Sequence, residues 1–166
     1  MDNPKLDEQT GNSAIDRPLD WLLKDHDLVR KLADAYRNTQ DREVRKQAAK
    51  QMLQALHTHS RLEESVFYPR VRDVAPAMIG HFEDEHLKVD DLVATLQGMA
   101  LDEEHAERLV QELIDMSLRH IEQEEKEFFP KLEQANMDLA PIGLEWQAAE
   151  ANLIHIQAEL SSSVRR

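Results

Sequence analysis

The sequence predicts an all-α fold: an antiparallel up-down-up-down four-helix bundle with an additional C-terminal helix. Three observations predict it. Only 4 of the 166 residues are Gly, while Ala, Leu, Glu, Gln, Lys and Arg abound, a composition that favours helix. Apolar residues recur at alternating spacings of four and three in four successive stretches, the period of a helix face. The third observation is an internal repeat. His59-x-x-x-Glu63-Glu64-x-x-Phe67-Tyr68-Pro69 returns as His120-x-x-x-Glu124-Glu125-x-x-Phe128-Phe129-Pro130, every matched residue shifted by 61. Upstream, Asp25-His26 is matched by Glu85-His86 at an offset of 60. Short connections between the four stretches favour antiparallel neighbours.

Residues 1–17 are polar and acidic and read as a mobile arm. The first helix is expected to begin near Pro18 with Asp16 as its N-cap. Its stripe is Leu22, His26, Val29, Ala33 and Tyr36. After a turn at Asn38–Asp41, the second helix spans about 42–73, with Val44, Ala48, Met52, Ala55, His59, Leu62 and Val66 facing inward. Pro69 should kink this helix or begin its end, since it removes a backbone donor and crowds the previous turn. Pro76 opens a third helix that stops at Gly98, with the stripe Ile79, Phe82, His86, Val89, Val93 and Leu96. The fourth runs over about 103–135 from an Asp102 N-cap. Leu109, Leu113, Met116, Ser117, His120, Glu124 and Phe128 face inward, and Pro130 repeats the role of Pro69. A linker over 136–141 leads to a fifth helix, about 142–160, carrying Trp146, Leu153 and Ile156. It has no counterpart in the repeat and is expected to pack on the bundle or on a second subunit. The domain division is therefore an arm at 1–17, a bundle at 18–135 and an extension at 136–166.

Charge and composition exclude several function classes. With 33 acidic and 20 basic residues the formal charge is −13, which argues against nucleic-acid and anionic-membrane partners. There is no Cys, so disulfides, thiolate metal sites and iron–sulfur ligation by this chain are excluded. No apolar run approaches a membrane span and the N-terminus lacks a secretory core, so the expected location is cytoplasmic.

Each inner stripe carries one His: 26, 59, 86 and 120. Two stripes add a carboxylate at i+4, Glu63 and Glu124, about 40° round the helix and ~6 Å along it. Buried carboxylates are rare unless paired or metal-bound. Four neutral imidazoles and two carboxylates suit two octahedral transition-metal ions with positions left over for oxygen ligands. Ferritin-like di-iron bundles use Glu-x-x-His and mostly carboxylates, whereas this chain has His-x-x-x-Glu and mostly imidazoles.

This residue set resembles the haemerythrin-like (H-H-E cation-binding) family over roughly residues 18–135. The match is His26, His59-x-x-x-Glu63, His86 and His120-x-x-x-Glu124, with an aromatic-Pro after each Glu. The resemblance implies a non-haem pair of oxo- or hydroxo-bridged iron ions inside a four-helix bundle. His26 and His59 would serve one iron, His86 and His120 the other, and Glu63 and Glu124 would bridge them. Oxygen-carrying relatives have a fifth His and an Asp at i+5. Here Phe82 stands four residues before His86, His81 is about 140° round the helix from His86, and the second carboxylate is Glu at i+4. These departures point away from reversible O2 carriage and toward reaction with, or sensing of, O2, peroxide or nitric oxide.

The competing readings are a metal-dependent sensor or binding module and an iron-handling protein without turnover; whether the chain is an enzyme stays open. The fifth helix is a candidate homodimer surface. Glu64 and Glu125 are alternate ligand candidates. His57, His81, His105 and His155 read as ordinary polar residues, and Phe67, Tyr68, Phe128 and Phe129 as core packing, with a minor option that Tyr68 or Tyr36 donates to a metal-bound oxygen.

Overall fold

A computed structural model describes residues 19–164, and among these there is helix but no strand. The expected arm, the start at Pro18 and the Asp16 cap lie outside the described residues. Five helical rods follow in order. α1 is Asp20–Arg37. α2, Arg42–Leu62, continues through a wide turn at Glu63–Phe67 into α3, Tyr68–Val71, and a tight final turn at Arg72–Val74. α4 is Pro76–Gln97. α5, Glu104–Gln123, continues through a second wide turn at Glu124–Phe128 into α6, Phe129–Gln134. α7 is Ala140–Val164. α1 packs on α2 and α5, and α4 packs on the same two, so these four helices close into a ring.

The stripes on α1 and α4 are buried at every expected position. On α2 the buried face sits slightly round from the expected one. Ala48, Ala49, Met52, Leu53 and Leu56 carry it, which leaves Val44 exposed and Ala55 half-buried. α2 is capped by Asp41, whose carboxylate accepts from the backbone N–H of Glu43 and Val44. α5 starts two residues past the expected Asp102 cap: Glu103 takes that position without a side-chain hydrogen bond. Asp102 instead lies 4.0 Å from Arg42, and the first turn is stabilised by the negative charges of Glu104 and Glu107. Leu109 and Met116 are half-buried, while Val110, Leu113, Ile114 and Ser117 carry the inner face.

Neither Pro69 nor Pro130 ends its rod where it stands. In the turn before each one, the helix widens so that an N–H reaches five residues back: Tyr68 N–H donates to Glu63 O, and Phe129 N–H to Glu124 O. Proline has no N–H and its ring crowds the carbonyl four residues earlier; one extra residue in the turn relieves that clash and lets the helix resume. The widened turn begins at Glu63 in one half and at Glu124 in the other.

The start of α7 and the residue before it belong to the core. Leu139, Ile142 and Trp146 are buried in the same apolar cluster as Trp21, Phe67 and Phe128. The two indole rings lie 4.8 Å apart. Beyond this anchor Leu153 is half-buried, and Ile154, Ile156 and Leu160 are exposed.

The anchor is close-packed enough to test. A Cβ on Gly143 would come within 2.9 Å of Trp21 Nε1, while one on Gly80, inside α4, would meet nothing within 4 Å. Gly80→Ala should stabilise the protein by up to about 1 kcal/mol through helix propensity. Gly143→Ala should instead destabilise, because overpacking at about 1–3 kcal/mol outweighs that gain. Thermal melts of the two variants should shift in opposite directions; shifts of the same sign would show that Trp21 yields freely.

Candidate metal centre

The two widened turns and the two lone-His helices meet at one level of the bundle. His26 and His86 stand mid-helix on α1 and α4, and His59 and His120 in the last turns of α2 and α5. Glu63 and Glu124 follow one turn later as the first residues of the widened turns. All six are buried, both carboxylates completely. The structure thus brings together every residue expected to be a ligand.

Their inward atoms fall into two groups. His26, His59, Glu63 and Glu124 offer donor atoms all within 4.8 Å of one another, and so do Glu63, His86 and His120. Glu63 belongs to both groups. Glu124 also reaches both sides: its Oε2 is 3.3 Å from His26 Nε2 and its Oε1 3.4 Å from His120 Nε2. His59 Nε2 is in close contact with Glu63 Oε1. His86 Nε2 and His120 Nε2 are 3.2 Å apart, close to the ~3 Å between neighbouring octahedral ligands on bonds of about 2.1 Å. His26 Nε2, His59 Nε2, both Glu63 oxygens and Glu124 Oε2 have no partner of hydrogen-bond geometry although buried. Buried polar atoms are seldom left so, and five of them converge here. A donor set of imidazole nitrogens and carboxylate oxygens fits a first-row transition metal.

Without a cation, protons take up the strain. Burial disfavours charge on every group here. Burial and the neighbouring Glu124 push the Glu63 carboxyl up to about 7. For His120, burial is outweighed by Glu124 and Glu85, which raise it to about 10. His59 is also raised, burial being outweighed by Glu63 and Asp25. His86 falls to about 3 through burial and the charge on His120. The His120 imidazolium therefore donates to a neutral His86. Glu124 is held well below the usual carboxylate range, because Glu63 and His120 outweigh its burial.

Three of the four outward nitrogens make a hydrogen bond to a carboxylate, and His26 Nδ1 does not. His59 Nδ1 lies 3.1 Å from Asp25 Oδ2, His86 Nδ1 3.2 Å from Glu64 Oε1, and His120 Nδ1 3.2 Å from Glu85 Oε1. His26 Nδ1 is 3.7 Å from Glu125 Oε1, and Arg30 pairs with both oxygens of that carboxylate. Glu64 and Glu125, the alternate ligand candidates, thus sit behind the imidazoles rather than between them. Tyr68 Oη donates to Glu124 Oε1 at 2.7 Å, and burial with the adjacent carboxylates raises its pKa well above normal, so the phenol keeps its proton. Tyr36 lies elsewhere, under the guanidinium of Arg45.

The hemerythrin HHE cation binding domain profile matches residues 17–132. The chain belongs to that family. Comparison with curated proteins and with solved structures gives no match. Within this hemerythrin domain Phe82 is fully buried, its ring edge-on to His120 at 5.0 Å and to Phe128 at 5.6 Å. Trp146, beyond the matched residues, packs edge-on to His59 at 5.5 Å.

Sequence reasoning left four groups without their part in this centre. Asp25 and Glu85 appear in the repeat beside His26 and His86, and that recurrence was the signal that could have found them. Tyr68 reads mainly as packing in the sequence, because its partner in the repeat is Phe129, which has no hydroxyl. Arg30 had no signal.

These protonation states fix the pH dependence of the metal-free protein. Glu63, His59 and His120 have folded pKa values above their unfolded ones, so the stability they contribute is present at low pH and lost as pH rises. The windows are about 4.5 to 7 for Glu63 and about 6.5 to 10 for His120. His86, depressed to about 3, acts oppositely and loses its contribution only as pH falls below about 6.5. Protein kept metal-free with a chelator should therefore melt several degrees lower at pH 9 than at pH 6.5. A flat or rising profile would contradict these assignments.

Proposed function

We propose that this centre holds two iron ions and reacts with small oxygen or nitrogen species. His26 and His59 would hold one ion and His86 and His120 the other, with Glu63 and Glu124 shared. The observation that carries the reading is the pair of donor groups with Glu63 in common. A bound iron pair supplies redox chemistry and open coordination positions for O2, peroxide or nitric oxide. The chain's own residues supply the rest. The rings of Phe67, Phe82 and Phe128, all fully buried, exclude bulk water on one side of the six residues. Tyr68 holds a proton at Oη against Glu124 and fixes that carboxylate's orientation. Phe82, in place of a fifth imidazole, contributes shape and no ligand. With two imidazoles for each ion, neither is saturated by protein, which favours oxidation over reversible O2 carriage.

The proposal includes the up-down-up-down arrangement, supported by the closed ring of α1, α2, α4 and α5 and the short connections between them. It includes the arm, bundle and extension at 1–17, 18–135 and 136–166, and a cytoplasmic setting; no described helix is long and apolar enough to cross a membrane. A second reading, a metal-dependent sensor that binds a partner or a second copy, draws support from the exposed Ile154, Ile156 and Leu160 on α7.

Anaerobic titration with ferrous iron should load close to two ions per chain. Glu63→Gln or Glu124→Gln should cut that loading severely, and Glu112→Gln should not; equal losses would overturn the ligand set. Stopped-flow mixing of the ferrous protein with O2 should show rapid, irreversible oxidation, with measurable peroxide consumption. Phe82→His should slow the oxidation if the new imidazole completes a five-His set. Protein that takes up O2 and returns it intact under vacuum, with no peroxide turnover, would restore the carrier role.

A further inference from the structure

We propose that Asp25, Glu64, Glu85 and Glu125 are positioning residues, one behind each imidazole, that aim the four Nε2 atoms at the centre and keep each proton on Nδ1. The inference rests on the two-ion reading above and extends it to residues outside the donor groups. Three of the four carboxylates lie 3.1–3.2 Å from an Nδ1, at hydrogen-bond distance, and the fourth, Glu125, lies 3.7 Å from His26 Nδ1, close enough for charge attraction but not for a hydrogen bond. An ionised carboxylate only accepts, so the ring nitrogen facing it must carry the hydrogen. That leaves the Nε2 lone pair free for a cation and fixes the ring plane.

The wiring follows the internal repeat. The acid just before each lone His serves the second imidazole of its own half: Asp25 serves His59, and Glu85 serves His120. The acid just after each shared Glu serves the lone imidazole of the other half: Glu64 serves His86, and Glu125 serves His26. Each half therefore orients one ring of its own and one of its partner's. A pattern of four contacts obeying one rule across a 61-residue repeat is not expected of scattered surface acids.

The four are not equivalent. Arg30 grips both oxygens of Glu125 and drains charge from the acceptor behind His26. Glu85 Oε1 lies 3.2 Å from both His120 Nδ1 and the exposed His81 Nε2. The His26 contact is the longest, as expected when the acceptor is shared with a guanidinium. Arg30→Gln should release Glu125 toward His26 and tighten metal binding at that side.

The test uses the full chain with cobalt(II) and zinc as probes. Asp25→Ala, Glu64→Ala, Glu85→Ala and Glu125→Ala should each weaken cobalt binding roughly 10–100-fold, the usual effect of losing such a partner. Their binding should still saturate at two ions. Asp25→Asn, Glu64→Gln, Glu85→Gln and Glu125→Gln keep a carbonyl acceptor and should recover most of the loss. Nitrogen-15 histidine spectra of the zinc-loaded protein should show protonated Nδ1 at all four rings. Wild-type affinity and spectra in all four Ala variants would overturn the inference while leaving the two-ion reading intact. Saturation at one ion in Glu64→Gln or Glu125→Gln would instead make those residues ligands and also overturn it. No binding by the wild-type chain would overturn the two-ion reading itself. Melting of the metal-free Ala variants separates lost positioning from lost folding, and Glu112→Ala serves as an unchanged control.

Discussion

The structure depends on placing two carboxylates, Glu63 and Glu124, side by side with no access to water. Like charges in so low a dielectric repel strongly, and desolvation opposes each one separately. Four imidazoles around them offer two ways out. Protons on His59 and His120 neutralise the pair, with Glu63 itself drawn toward protonation. Cations at the same place would do so through lone pairs that otherwise have no hydrogen-bond partner. Protons and a cation would thus compete for the same atoms.

The backbone serves the same end. A regular helix with His at i and Glu at i+4 would meet Pro at i+10 with a crowded carbonyl. The widened turns at Glu63–Phe67 and Glu124–Phe128 remove that conflict immediately after the two carboxylates. Glu63 and Glu124 therefore sit at the junction between two helical geometries, a place where helix widening recurs in functional sites. Around them the aromatic residues that precede each Pro close the apolar shell, with Tyr68 turned inward to donate to Glu124.

Much of this was legible in the sequence. The stripes of α1 and α4 are buried as their periodicity requires, because those helices are regular from end to end. The six residues of the two donor groups stand out in the sequence because His and Glu on an apolar stripe violate the ordinary pattern twice, at offsets of 60 and 61. The widened turns were not legible. Pro69 and Pro130 announced a disturbance but not its form, since kink, end and widening all relieve the same clash. The Asp102 cap failed because a good capping residue only competes with neighbours for the helix start, and Asp102 lies toward Arg42. The contacts of Trp146 were hidden for a different reason: α7 stands outside the repeat, so nothing in the spacing tied this packing residue to Trp21 or His59. The outward carboxylates lay in plain view beside the donors, but which acid meets which imidazole crosses between helices, and no single-helix spacing encodes that.

We propose that Glu63 and Glu124 share two metal ions. X-ray absorption at the iron edge of anaerobically reconstituted protein tests it most directly. The account requires an iron neighbour in the second scattering shell and about two imidazoles for each iron, as the two donor groups provide. An iron environment with no metal neighbour, or with all four imidazoles around a single ion, would contradict it.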